Sequence, residues 1–327
     1  MPPAILTKNL RREFQKKGKT KHVALDGVDI EVEPGEIFGF LGPNGAGKTT
    51  LIKILCTLLY PSGGEAYVDG LDVVKDTREV RRRIAIVSGG EQSGYGIMTV
   101  FENIWMFSQF YGIPSKIAKD RIWHYLKAFG LEKDAHTKVS KLSTGMRQKM
   151  NIIRGFVTDP KIFFLDEPTL GLDVHIAREV RDTIRNWTTD HPDKTVFLTT
   201  HYMAEAEALC DRIAIIDGGK IVECDTPANI REKVGGGAVY HLKLEPVPPD
   251  LSFLDAIPAV RNPVLADANE ATGQCEVRFN LDSDDQLSHV LQAAETRGFR
   301  VAGFAKAEPA LEDLFMTIVG RKLRDEE

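Results

Sequence analysis

The sequence has no long apolar run, few cysteines and no excess of positive charge. No stretch reaches the ~18–20 apolar residues that span a bilayer, and Met1–Lys8 lacks the charged start and apolar core of a signal peptide. Lys and Arg number 42 against 47 Asp and Glu, a net charge of −5 that argues against nucleic acid as the main partner. The cysteines lie far apart without a C-x-x-C pair, so we expect reduced thiols in a cytoplasmic protein: Cys56, Cys210, Cys224 and Cys275.

Short apolar runs separated by helical patterns predict the fold of the larger, N-terminal part of the chain. Buried strands are predicted at Ile37–Leu41, Ile162–Leu165, Thr195–Thr199 and Ile213–Ile216. A helix is predicted to begin at Lys48 and to continue to Leu59. Strands that alternate with helices predict an α/β fold with a mostly parallel sheet that is covered on both faces. The stretch from about 95 to 158 carries helical patterns and predicts a helical insert.

A change of pattern follows the glycines Gly235–Gly237, which form the clearest linker. At ~100–200 residues per domain, the chain is expected to hold two or three domains. We predict domains at 1–234 and 235–327. The second segment contains half-buried strand patterns such as Tyr240–Leu244, and Ser283–Gln286 matches a capping box that opens a helix. This segment is predicted to be a small α+β domain.

A glycine-rich loop follows the first apolar run. The stretch Gly42–Thr49 reads G-P-N-G-A-G-K-T and matches the phosphate-binding pattern G-x-x-x-x-G-K-[ST] in full. Its glycines let backbone N–H groups curl around phosphate oxygens, and the following helix presents its N-terminus to the anion. We expect Lys48 to reach the β- and γ-phosphates of a nucleotide and the Thr49 hydroxyl to ligate Mg²⁺. The predicted nucleotide-binding residues are Gly42, Asn44, Gly45, Ala46, Gly47, Lys48, Thr49 and Thr50.

Two further apolar runs end in residues that are suited to chemistry on a phosphate. The run at 162–165 ends in Asp166 and Glu167. In P-loop enzymes the first such carboxylate holds Mg²⁺, and an adjacent one can accept a proton from the attacking water. The run at 195–199 leads to His201. Because the carboxyl ends of parallel strands meet at one edge of a sheet, these three residues and Lys48 are predicted to converge on one γ-phosphate.

The segment before the acidic strand points to a family. Leu142-Ser143-Thr144-Gly145-Met146 resembles the signature motif of ABC-type ATPases. The order of P-loop, helical insert, signature, Asp-Glu strand, the Asp173 loop and His201 is also that of an ABC nucleotide-binding domain. The resemblance covers about residues 4–230 and implies an ABC-type P-loop NTPase with N-terminal antiparallel strands beside the parallel core. From the residues alone, Ser143 is predicted to cap the helix that follows it.

The resemblance implies a head-to-tail dimer, formed by two copies or by this chain and a paralogous ATPase. Each ATP then lies between one P-loop and the signature residues of the partner, chiefly Ser143 and Gly145. The resemblance further assigns the general base, the γ-phosphate contact, the link between the two sites and the ring that stacks on adenine to Glu167, His201, Asp173 and Phe14, in that order. Phe14 is also open to a plain role in the core of a strand.

One position departs from the family pattern. A glutamine normally ends the strand that here reads Ile84–Ser88, but Gly89 or Gly90 stands at that place. Either Gln92 or Glu91 would then supply the contact to Mg²⁺ or water. We favour Gln92, because a carboxylate close to phosphates is repelled unless a metal binds it.

The tail carries a second resemblance. Glu308–Phe315 resembles the closing helix of the accessory domain on ATPases of ABC-2-type exporters, of which daunorubicin-resistance proteins are one example; an ordinary amphipathic helix is the alternative. The sequence therefore predicts an ATP- and Mg²⁺-dependent ATPase that drives a separate membrane permease, an exporter, from the cytoplasmic face of the membrane. A soluble ABC ATPase acting on ribosomes or DNA is opposed by the single P-loop and the lack of heptads. A nucleotide-dependent regulatory module is opposed by the intact Glu167 and His201.

Overall fold

A computed structural model describes residues 2–15, 21–89, 94–233, 239–255, 257–269, 273–281 and 283–307. The chain forms two compact units, Met1–Asp225 and Thr226–Glu327. The predicted boundary between residues 234 and 235 falls outside the described residues and stays a prediction. In the described ranges, no helix is both long and apolar enough to cross a membrane.

The strands of the first unit form two sheets. In chain order they are β1 (Ile5–Phe14), β2 (His22–Val32), β3 (Ile37–Leu41), β4 (Gly63–Val68), β5 (Leu71–Asp72), β6 (Ile84–Ser88), β7 (Ile162–Asp166), β8 (Thr195–Thr200), β9 (Arg212–Asp217) and β10 (Lys220–Asp225). One sheet is antiparallel, in the order β2-β1-β4-β5. The other has the order β10-β9-β3-β8-β7-β6 and is parallel except for the β10–β9 pair. This arrangement confirms the predicted α/β fold, with N-terminal antiparallel strands beside a mostly parallel core.

The predicted central strands are β3, β7, β8 and β9. Their side chains are almost entirely buried, as expected for parallel strands with helices on both faces. Aromatic rings fill the space beside the sheet: the ring of Phe197 lies 5.7 Å from those of Phe38, Phe40 and Phe164, measured between centroids. The core therefore fixes the strands whose ends carry the candidate site.

Helices of the first unit include the predicted insert. In chain order they are α1 (Lys48–Leu55), α2 (Thr77–Arg83), α3 (Val100–Phe110), α4 (Ser115–Ala128), α5 (Thr144–Val157), α6 (Val174–Asp190) and α7 (Met203–Leu209). Helices α3, α4 and α5 pack against one another and form the insert. Helix α1 is shorter than predicted and ends at Leu55. Thr57 has a φ of 60°, which is incompatible with a right-handed helix.

The second unit is an α+β unit, as predicted. Its elements are α8 (Pro227–Lys233), β11 (Val239–Glu245), α9 (Ser252–Asp255), β12 (Val260–Asn269), β13 (Gln274–Leu281), α10 (Leu287–Thr296) and β14 (Arg300–Ala307). The sheet is antiparallel in the order β12-β13-β11-β14. The capping-box prediction was wrong: α10 begins at Leu287 after a 3₁₀ turn, and the Ser283 side chain caps nothing. The predicted tail helix lies outside the described residues.

Candidate active site

The glycine-rich loop joins buried strand β3 to helix α1. Two of its glycines are demanded by packing: a Cβ on Gly42 would lie 2.2 Å from the carbonyl oxygen of Ile216, and one on Gly47 would lie 2.4 Å from that of Ala24. Gly47 also has a φ of 112°, which favours glycine. A Cβ on Gly45, whose φ is 87°, would meet no heavy atom within 4 Å. The loop is thus packed on the protein side and open on the other.

Lys48 holds its ammonium group inside this loop. Its side chain is only 5% exposed, and Nζ donates to the carbonyl oxygens of Gly42 at 2.7 Å and Pro43 at 3.1 Å. The same nitrogen lies 3.5 Å from Oε1 of Glu167. A buried positive charge therefore faces the carboxylate predicted to be the general base.

Asp166 bridges the loop and the strand next to its own. Thr49 Oγ1 donates to Asp166 Oδ2 at 3.1 Å, and Thr199 Oγ1 donates to Asp166 Oδ1 at 2.6 Å. The parallel register pairs Asp166 on β7 with Thr199 on β8, which lies between β7 and β3. Sequence reasoning did not single out Thr199, although its place at the end of the neighbouring apolar run was a usable signal.

Glu167 sits between Lys48 and His201. Its Oε2 accepts from His201 Nδ1 at 3.1 Å. The backbone of Glu167 has a φ of 51°, in the left-handed region that is unfavourable for residues with a Cβ. Its N–H donates to the carbonyl oxygen of Thr199 at 3.0 Å, which helps to hold that conformation. The structure thus brings together the residues that were predicted to converge on one γ-phosphate, Lys48, Asp166, Glu167 and His201. Thr49, the predicted Mg²⁺ ligand, joins them through its bond to Asp166.

The signature residues lie at the start of another helix. Ser143 is the N-cap of α5 as predicted, since its Oγ accepts from the N–H of Met146 at 3.2 Å. Ser143 and Thr144 are exposed, whereas Leu142 is buried. Among the residues that the structure describes, Ser143 forms hydrogen bonds with Met146 and Arg147 of α5 and with none of the Gly42–Thr50 loop.

Two further predicted residues occupy exposed positions. Asp173 is the N-cap of α6, and its Oδ1 accepts from the N–H of Ile176 at 2.9 Å. Phe14 ends β1 and is 36% exposed, with the Arg12 guanidinium 4.6 Å from its ring centroid. The alternatives Gln92 and Glu91, with Gly90, lie outside the described residues.

A phosphate-binding loop, an Asp-Glu strand end and a histidine at one sheet edge define a P-loop nucleotide hydrolase. The family model for ABC transporters matches residues 25–170. The chain is 34% identical over 323 residues to the daunorubicin resistance ATP-binding protein DrrA2 of Streptomyces coeruleorubidus, covering 97% of each chain. It is 31% identical over 320 residues to the linearmycin resistance ATP-binding protein LnrL of Bacillus subtilis (strain 168), covering 97% of this chain and 100% of that one.

A solved structure agrees with this relationship. It is a dimeric ATP-binding cassette in a post-hydrolysis state, bound to ADP and phosphate, with a TM-score of 0.61 and 26% identity over 68% of this chain and 98% of that chain. The chain belongs to the family of ABC transporter ATP-binding proteins. It is an ATPase, and ATPase subunits of this family dimerise and work with a membrane permease.

Proposed function

We propose that this chain binds ATP on the Gly42–Thr50 loop, with the adenine ring stacked on Phe14. The proposal is supported by the open side of the loop at Gly45 and by the partial exposure of Phe14. The Arg12 guanidinium lies over part of the Phe14 ring. The adenine would therefore stack on the part of the ring that stays exposed. Lys48, now satisfied by loop carbonyls, would turn to the β- and γ-phosphates.

Thr49 and Asp166 fit a Mg²⁺ ion that accompanies the nucleotide. Mg²⁺ prefers oxygen ligands, and it usually keeps waters and phosphate oxygens around one or two protein ligands. Here a hydroxyl and a carboxylate already stand 3.1 Å apart at the edge of the phosphate loop. When bound, the ion would neutralise charge on the phosphates. The proposed role of Gln92 as a further ligand rests on the sequence alone.

The observation that carries the hydrolytic mechanism is the position of Glu167 between two nitrogen groups. Its carboxylate lies 3.5 Å from Lys48 Nζ and 3.1 Å from His201 Nδ1, and its side chain is only 18% exposed. We assign Glu167 as the general base that accepts a proton from the attacking water. His201 would hold the carboxylate and contact the γ-phosphate. Lys48 would stabilise the negative charge that builds up on the transferred phosphoryl group.

Hydrolysis is proposed to need a second copy of the chain, or a paralogous ATPase, in a head-to-tail dimer. Ser143 and Thr144 are exposed at the N-terminus of α5, an arrangement that suits contact with an anion held by another chain. The signature also includes Gly145 and Met146, which are half-buried, and Leu142, which is buried. Asp173 would link the two sites. Binding of two ATP molecules would close the dimer, and hydrolysis would reopen it, so the nucleotide supplies the energy difference between two permease states.

We propose that the permease is an ABC-2-type exporter and that the chain docks on its cytoplasmic face. The DrrA2 and LnrL relatives are both resistance proteins that match this chain over nearly its whole length. Outward transport of a toxic compound is the simplest activity that gives resistance. The transported compound itself is chosen by the permease chain.

The test is Glu167→Gln, which keeps the shape of the side chain and removes the base. We expect phosphate release to fall at least ~100-fold, and the ATP-bound protein to elute as a dimer. Cells that express the variant with the permease should then retain a fluorescent drug that wild-type cells export. Glu79→Gln is the control, because Glu79 is an exposed residue paired with Arg82 on α2. Normal hydrolysis by a monomeric Glu167→Gln protein would exclude this base.

A further inference from the structure

The turn after Glu167 is held from two sides by buried side chains that have no part in the proposed chemistry. On one side, Gln148 Nε2 donates to the carbonyl oxygen of Pro168 at 2.9 Å. On the other side, Thr169 Oγ1 donates to Glu205 Oε1 at 2.8 Å. The side chains of Gln148, Thr169 and Glu205 are 4%, 5% and 3% exposed, so water competes little for either bond.

The two bonds come from helices that follow two other predicted phosphate contacts. Gln148 lies on α5, the helix that begins at the signature residue Ser143. Glu205 lies on α7, the helix that follows His201. The two helices therefore bind consecutive residues directly after Glu167: α5 binds the backbone carbonyl of Pro168, and α7 binds the side-chain hydroxyl of Thr169.

The backbone at this point needs external support. Glu167 has a φ of 51°, and a left-handed conformation at a non-glycine residue persists only where the surroundings hold it. The N–H of Leu170 donates to the Glu167 carbonyl oxygen at 3.1 Å, which closes the turn from within. The bonds from Gln148 and Glu205 fix the same turn from outside.

We propose that Gln148 and Glu205 are positioning residues for ATP hydrolysis. By clamping Pro168 and Thr169, they keep the Glu167 carboxylate between the ammonium of Lys48 and the ring of His201. The inference rests on the proposed role of Glu167 as the general base. Both residues act through the turn, and their loss is expected to lower kcat and to leave ATP binding intact.

The charge of the Glu205 carboxyl group decides which variant can test its hydrogen bond with Thr169. Burial raises the pKa of this carboxyl group, and the hydroxyls of Thr200 and Thr169 oppose that shift only in part. A raised pKa lowers the cost of replacing this carboxylate with a neutral group, and glutamine copies its shape and its accepting oxygen. Glu205→Gln should thus be nearly silent.

The experiment compares matched pairs of variants in the full chain. Thr169→Val keeps the shape and removes the donor, whereas Thr169→Ser keeps the hydroxyl. Gln148→Met removes the other donor at constant length. We expect Thr169→Val and Gln148→Met to lower kcat about fivefold to tenfold, with the KM for ATP within about twofold of wild type. Thr169→Ser and Glu205→Gln should keep kcat within about twofold of wild type.

Two control variants remove similar bonds elsewhere. Thr183 Oγ1 donates to the carbonyl oxygen of Glu179 at 2.8 Å on α6, and Gln109 Nε2 donates to that of Ile113 at 3.2 Å beside α3. Thr183→Val and Gln109→Met are expected to keep kcat, even where the melting temperature falls. A loss of kcat in the controls equal to that in Thr169→Val would show a merely structural effect and overturn the inference.

The remaining outcomes separate this inference from the proposed function. Wild-type kcat in Thr169→Val and Gln148→Met, together with an inactive Glu167→Gln, would overturn the positioning role and leave the base in place. Failure of Thr169→Ser to retain activity would also overturn it. Normal hydrolysis by Glu167→Gln would instead overturn the proposed function on which the inference rests.

Discussion

Replacing Gly89 with alanine is expected to displace the proposed general base. A Cβ at Gly89 would lie 1.8 Å from the carbonyl oxygen of Glu167, whereas ordinary contact begins at 3.4 Å. The two atoms must therefore separate by 3.4 − 1.8 = 1.6 Å. The oxygen belongs to the backbone of Glu167, so it cannot rotate away as the end of a flexible side chain would. Residue 89 is also fixed, because the N–H of Gly89 donates to the carbonyl oxygen of Asp166 at 2.7 Å. The backbone of Glu167 has to move.

The magnitude follows from the precision that catalysis requires. A misplacement of about 1 Å costs ~10²-fold in rate, so kcat of Gly89→Ala is expected about 100-fold below wild type. The KM for ATP should change less than about threefold, because the Gly42–Thr50 loop is untouched. Phosphate release and binding of a fluorescent ATP analogue measure the two quantities.

A matched glycine provides the control. Gly303 lies on β14, and a Cβ there would meet no heavy atom within 4 Å, so Gly303→Ala should hydrolyse ATP normally. If Gly89→Ala bound the ATP analogue normally and kept kcat within about threefold of wild type, the contact between Gly89 and Glu167 would not position the base, and the reasoning would be refuted.

Two further predictions concern stability. Gly155→Ala would place a Cβ 2.4 Å from Cζ of Phe163 in the aromatic core. Overpacking costs up to ~3 kcal/mol, and the higher helix propensity of alanine offsets ~1 kcal/mol of that cost. Urea titration should therefore show a free energy of unfolding that is lower by about 2 kcal/mol. No loss would mean that the ring moves freely. Thr99→Ala removes an N-cap that accepts from the N–H of Glu102 at 3.2 Å; the free energy of unfolding should fall by ~1 kcal/mol, and Thr99→Ser should restore it.

The sequence predicted the central strands well because buried parallel strands leave continuous apolar runs. Ile37–Leu41 is β3 residue for residue, and the runs at 162–165 and 195–199 lie inside β7 and β8. The order in which these strands pair was not readable, since it depends on contacts between distant parts of the chain. Helix α1 ends at Leu55 because Thr57 adopts a left-handed conformation. The pattern of apolar residues continues past this point, so it did not indicate the end of the helix.

The candidate site was predictable where chemistry depends on local spacing. The loop residues and the Asp166-Glu167 pair stand in fixed motifs, and the structure brings them together with His201. Gln148 and Glu205 were missed because each acts on a residue far along the chain, across buried bonds that leave no periodic mark. Their residue types, a glutamine and a glutamate on amphipathic helices, are usually read as surface positions.

Strand order explains why three separate segments act as one site. β8 lies between β3, which leads into the Gly42–Thr50 loop, and β7, which ends at Asp166. The end of β8 is therefore next to the ends of both strands. A single hydroxyl uses this position: Thr199 Oγ1 donates to Asp166 Oδ1 at 2.6 Å and accepts from the N–H of Glu167 at 3.2 Å. It thereby orients the proposed metal ligand and the backbone of the proposed base together. A shift of β8 relative to β7 would therefore move the proposed metal ligand and the proposed base together, in the same turn that Gln148 and Glu205 bind.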